Sequence, residues 1–150
     1  MFKSILATLL LGSALSAFAA GTETETPAPT AQSYYDDAKK SLENNKWKPA
    51  LSNLKKAVEL DPNNADIHNL LGYSYRKAGD LPKAFEHYAI ALKLNPKHTG
   101  ALEYRGEAYL MANDLASAEQ ALTTLEGLCG KSCSEYNELS KAIAEYKAKK

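Results

Sequence analysis

A step of 34 residues maps this chain onto itself, and no other feature limits its fold so tightly. Ala84 has Ala50 one step before it and Ala118 one step after it. Gly72 is matched by Ala38 and Gly106, Tyr88 by Leu54 and Leu122, and Ala91 by Ala57 and Leu125. Leu94 is matched by Leu60 and Leu128, and Leu81 by Trp47 and Leu115. Pro96 is matched by Pro62, although Gly130 takes that slot downstream. Self-similarity at such a period marks a stacked array of helical units.

The unit is clearest over Ala65–His98. Leu71, Gly72, Tyr75 and Ala78 fall on one face of a first helix, and Leu81, Ala84, Phe85, Tyr88, Ala91 and Leu92 on one face of a second. Gly79 can take the left-handed conformation that ends the first helix. Asp80 can accept from the free N–H groups of the second. Pro82 lies in the first turn, where it is tolerated, and Asn95-Pro96 stops the helix. Gly72 and Ala84 are small where the two helices cross. The unit is therefore a helical hairpin in which a large side chain faces a small one.

Leu71, Gly72, Tyr75, Ala84, Tyr88, Ala91 and Pro96 together resemble the tetratricopeptide repeat. His68 stands where that family often has Trp. The resemblance runs from Ala31 to about Ser132, in copies 31–64, 65–98 and 99–132, and is weaker at Asp37, Ser41, Arg105 and Gly130. It implies an all-α fold: a right-handed superhelix of three helical hairpins, closed by a C-terminal capping helix. It also implies that the first helix of each hairpin lines a concave face holding a peptide or protein segment. The residues of those helices that do not face the core are Tyr35, Lys39, Asn69, Tyr73, Arg76, Glu103, Tyr104 and Glu107, the expected partner-binding set. In relatives that grip a C-terminal carboxylate, Lys, Arg and Asn recur on this face. Glu103 and Glu107 break that pattern in the third copy, so a basic patch on the partner is expected opposite them.

Length points to one domain. Eighteen basic residues balance eighteen acidic ones, which argues against a nucleic-acid partner held through phosphates and against attraction to an anionic membrane. The chain opens with Lys3, an apolar stretch Ile5–Leu15 and the small-x-small motif Ala17-Phe18-Ala19. This reads as a secretory signal peptide, residues 1–19, cleaved after Ala19. The apolar stretch is too short to span a bilayer comfortably, so no stable membrane insertion is expected after cleavage. The mature protein is expected to be periplasmic or secreted. Residues 20–30, with GTETETPAPT, read as a disordered linker.

In the first copy Tyr34, Tyr35, Ala38 and Leu42 form one helix and Trp47–Leu60 the other, with Asn44-Asn45 at the turn. Pro49 sits in the first turn of the second helix. In the third copy Asn113-Asp114 repeats the chemistry of Gly79-Asp80. Residues 133–150 supply a capping helix and basic tail, with Tyr136, Leu139 and Ile143 facing in and Ser132 and Glu135 spaced as a capping box. An open stack needs such an end.

Cys129 and Cys133 bracket the junction between third hairpin and cap. In an oxidising compartment the default is a structural disulfide, worth only about 2 kcal/mol for so short a loop. A redox or soft-metal pair, with Cys133 at a helix N-terminus, and free thiols remain the alternatives. His68 reads as a packed aromatic, and His87 and His98 as solvated. Glu103 and Glu107 read as a solvated or ligand-facing acidic stripe rather than a general acid–base pair. Nothing resembling a nucleophile, a phosphate loop or a triad accompanies them, so no enzyme, cofactor or metal is expected. The reading is an exported interaction module, scaffold or adaptor, binding a protein or peptide in a preformed groove. A thiol-redox or soft-metal protein using Cys129 and Cys133, and self-association through groove or cap, are its rivals.

Overall fold

The computed structural model describes residues 27–149. The expected signal peptide, its cleavage at Ala19 and most of the 20–30 linker lie outside them. Seven helices follow in order: α1 Ala31–Glu43, α2 Trp47–Leu60, α3 Ala65–Lys77, α4 Leu81–Leu94, α5 Thr99–Met111, α6 Leu115–Cys129 and α7 Ser134–Ala148. Among the described residues all regular structure is helical, and none of these helices is long and apolar enough to cross a membrane.

The hairpin turns repeat in backbone as in sequence. Asn45, Gly79 and Asn113 occupy one slot at the 34-residue step, with φ of 56°, 83° and 60°. Only Gly, and with some cost Asn, enters that left-handed region readily. The next residue caps the second helix. Asp80 accepts from the Lys83 N–H and Asp114 from the Ser117 N–H, at 3.2 and 3.0 Å. Lys46 fills this place before α2 and makes no side-chain cap. A lysine side chain has no acceptor to offer, and three residues on Pro49 occupies a position whose N–H would be capped and has none. Lys46→Asp should therefore gain only part of the capping energy, through the Lys48 N–H, until Pro49→Ser supplies the second donor. A double-mutant cycle by urea unfolding should find a coupling of about 1 kcal/mol between the two changes; additive effects would refute this account.

The small residues lie between helices. Ala38, Ala50, Ala57, Ala84, Ala91 and Ala118 are all 0% exposed. Glycine is required at two of the equivalent sites. A Cβ on Gly72 would come within 2.5 Å of the Tyr88 ring, and one on Gly106 within 2.5 Å of a Leu139 methyl. Gly106 thus meets the cap helix rather than its own hairpin, because α7 occupies the place where the first helix of a fourth hairpin would stand. Leu139 and Ile143 of α7 are buried with Leu102, Leu110 and Leu125. A second cluster, around Leu54, Ile67 and Leu71, joins the first hairpin to the next.

Curvature follows from which helices touch. α3 reaches α5 and α5 reaches α7, whereas no comparable contact joins α2, α4 and α6. The first helices are the inner layer.

Three local expectations need correction. The Ser132–Glu135 capping box does not form. Gly130, at φ 77°, ends α6, α7 starts at Ser134, and Cys133 takes the N-cap place with no side-chain cap. The Glu135 carboxylate accepts instead from the Ser134 and Thr99 hydroxyls, at 2.8 and 2.9 Å. His87 is half-buried: it stacks on Tyr75 and meets His68. His98 caps α5 by accepting from the Ala101 N–H and reaches Asp66 through Nε2, so it is also not solvated.

His68 is packed, as expected of that position. Its Nε2 lies 2.9 Å from the Pro62 carbonyl, which can only accept, so Nε2 carries the proton. The His68 Nδ1 then accepts from the His87 Nδ1–H, 3.0 Å away. Ring centroids 5.3 Å apart put the imidazoles end to end, with their nitrogens aimed at one another. Two nitrogens so opposed share a proton and do not open toward a common metal. Among the described residues no group of three or more His, Cys, Asp or Glu gathers as a metal site.

Candidate binding groove

The inner layer presents α1, α3 and α5, with α7 at the far end. Its centre is a cluster of four side chains from α3 and α5. The Tyr73 and Tyr104 rings meet at 4.9 Å. The Arg76 guanidinium lies 5.3 Å from the Tyr73 centroid and 5.6 Å from that of Tyr104. It also forms an ion pair with Glu107 across the helix boundary. The Arg76 side chain is only 11% exposed, so its charge is held by Glu107 and by ring faces rather than by water.

Glu103 lies one helical turn before Glu107 and is 9% exposed. Burial, then the nearby charges of Glu107 and Glu135, push its pKa up to about 8, against the opposing pull of Arg76. At neutral pH Glu103 is mostly protonated. The acidic stripe expected on α5 is thus neither solvated nor free: one carboxyl is buried and largely neutral, the other is paired. Burial, followed by the proximity of Glu103, also raises the Tyr104 phenol to about 12.

Asn69 departs from expectation in the same way. It is 7% exposed and sits 3.4 Å from where a Cβ on Gly100 would stand. The start of α5, at Gly100, closes over it. Asn69 and Glu103 therefore belong to the contacts between first helices, not to an open surface. Tyr35, Tyr73, Arg76, Tyr104 and Glu107 are half-buried on the inner layer, and Lys39 is exposed with its ammonium 5.7 Å from the Tyr35 ring.

A notch of about 220 Å³ opens between α1, α3 and α5, lined by Lys39, Leu42, Glu43, Leu70, Tyr73 and Tyr104. Leu42 and Leu70 are absent from the expected set. Leu42 reads as core, and Leu70 is hidden beside the core residue Leu71. Its signal is an apolar side chain one position off the buried stripe. A second recess, of about 240 Å³, lies where α1 and α3 begin, between Thr30, Tyr35, Asp61, Asn64 and Asp66.

At the other end, between α6 and α7, the Cys129 and Cys133 sulfurs lie 2.03 Å apart, the separation of a disulfide.

Two family models match the chain, one for the TPR repeat over residues 40–79 and one for the tetratricopeptide repeat over residues 65–98. A TPR repeat-containing protein of Pseudomonas aeruginosa is 34% identical over 71 residues, which are 47% of this chain and 68% of that protein. The chain belongs to the tetratricopeptide repeat family. Solved structures of TPR domains share its fold. The first TPR of Spaghetti, bound to the HSP90 peptide SRMEEVD, has a TM-score of 0.69 at 23% identity, over 79% of this chain and 94% of that one. The TPR2B domain of yeast Sti1, in a complex with pHsp70, has 0.70 at 16%, over 80% and 98%. The secretion chaperone SycD of Yersinia enterocolitica, with a peptide of the translocator YopD, has 0.66 at 20%, over 79% and 92%. At these identities the likeness is one of fold, and the all-α repeat superhelix stands on it. The TPR array of this chain also ends in a solvating helix, as an open stack requires.

Proposed function

We propose that this TPR protein binds a segment of a partner polypeptide along the inner face of α1, α3 and α5, as an exported scaffold or adaptor of the cell envelope. The observation that carries the reading is the α3–α5 cluster of Tyr73, Arg76, Tyr104 and Glu107 beside the notch. Aromatic rings and an arginine, set rigidly on helices, make a surface that binds with little ordering of its own. Relatives of the same fold that hold peptides support it. Binding and positioning require no catalytic group, and none is assigned. The N-terminal motif at Ala17–Ala19 supports export, and with it an oxidising compartment in which Cys129 and Cys133 pair to fix the angle of α7.

Photo-crosslinking tests the face. A crosslinking amino acid at Tyr35 or Lys39 should capture a partner in envelope extract, while the same group at Lys93, exposed on α4, should capture none. Equal yields from both faces, or none from the groove, would remove the proposal. Amino-terminal sequencing of the exported form tests processing, with residue 20 expected first.

A further inference from the structure

We infer that the notch between α1, α3 and α5 is the anchor point of the groove. It takes one uncharged side chain of leucine or phenylalanine size from an internal stretch of the partner, and no terminal carboxylate. This rests on the groove reading above and narrows it.

The size follows from the volume. A cavity of about 150 Å³ lined by apolar side chains is enough for benzene, and this one holds about 220 Å³. Its walls are Leu42, Leu70 and the Tyr73 and Tyr104 rings. Lys39 and Glu43, one turn apart on α1, stand among its lining residues with opposite signs.

The exclusion of a carboxylate follows from where the cations are. Arg76 is the inner-face guanidinium nearest the notch, and it is already bound to Glu107 between two rings. A ligand carboxylate taking it would leave the Glu107 carboxylate, only 26% exposed, without its partner. Lys39 remains, but an exposed lysine is screened by salt and binds a carboxylate weakly. The inner face therefore offers an incoming peptide apolar area and little net charge.

The test uses the protein without residues 1–19, its Leu methyls labelled with carbon-13, and two probes read by NMR. One is the blocked neutral peptide acetyl-Ser-Gly-Leu-Phe-Gly-Ser-amide. The other is SRMEEVD with a free carboxylate, the peptide that Spaghetti holds. The neutral peptide should shift the Leu42 and Leu70 methyls. Its affinity should change by less than about 2-fold between about 50 and about 500 mM NaCl. Replacing its Leu and Phe with Asp should abolish the shifts. Leu70→Ser should weaken binding by about 10-fold while the circular dichroism stays helical, and the Asp-substituted peptide keeps the test valid if that variant unfolds. Tighter binding of SRMEEVD, moving the inner-face resonances, would overturn the anchor and leave the groove reading standing. If neither probe moved any inner-face resonance, both would fall.

Discussion

Gly72→Ala is expected to be among the most damaging single-methyl changes in this protein. The added Cβ would stand 2.5 Å from Tyr88 Cε1 and 2.6 Å from Cδ1. Tyr88 is 0% exposed and walled in by Ala84 and Ala108, so the ring has nowhere to go. Alanine would favour the helix by up to about 1 kcal/mol, but overpacking typically costs about 1–3 kcal/mol and sometimes more. A net loss of about 2 kcal/mol, with Tm lower by about 8 °C, is the expected balance. Gly127 is the internal control. It is also helical, in α6, but a Cβ there would meet nothing within 4 Å. Gly127→Ala should stabilise by about 0.5–1 kcal/mol. Thermal unfolding of the two variants should therefore shift in opposite directions, and a shared sign would refute the close-crossing account of Gly72.

Glu103→Gln should change how stability depends on pH. In the unfolded chain Glu103 titrates near its ordinary value of 4.5, and in the fold near 8. Below the lower value both states are protonated and its favourable burial is fully present. As pH rises toward 8 the unfolded state loses its proton first, so folding becomes less favourable, and above 8 the contribution is gone. Glutamine is neutral throughout. Wild type and variant should be equally stable near pH 4, while at pH 9 the variant should lead by on the order of 2–5 kcal/mol. Urea unfolding across that range checks it, and parallel curves would show that the carboxyl is not held in its neutral form. The same titration predicts that an alkaline medium loosens the α5–α7 junction before the first hairpin, because Glu107 and Glu135 are the charges that repel an ionised Glu103.

The hairpins were legible because their determinants are local. A left-handed residue at 45, 79 and 113, a capping Asp at 80 and 114, and a small residue at each crossing are all visible at the 34-residue step. Helix α4 begins and ends where its pattern says, at Leu81 and Leu94. The inner face was less legible because it depends on contacts between hairpins. Whether Asn69 is open or covered is decided by the start of α5, which sits in another repeat. Glu103 is buried on the side of α5 that faces Glu135 and Glu138 of α7, and no internal copy of the motif has a capping helix against it. The pairing of Arg76 with Glu107 joins two helices whose lateral offset no periodicity specifies. The His68–His87 bond is invisible in the sequence for a related reason. The residues are 19 apart, and two imidazoles meet only if both helices turn them inward.

The asymmetry between the two ends of the stack gives the molecule a direction. At one end α7 seals the third hairpin, with Leu139 and Ile143 sunk into it. At the other, α2 begins on an uncapped lysine and, among the described residues, no helix covers the first hairpin from outside. In a chain whose units hold only their neighbours, such a difference makes thermal opening travel one way, from Ala31 toward the seal. A ligand lying across all the inner helices would tie the loose end to the firm one, and its grip would register first as slower fraying at α1.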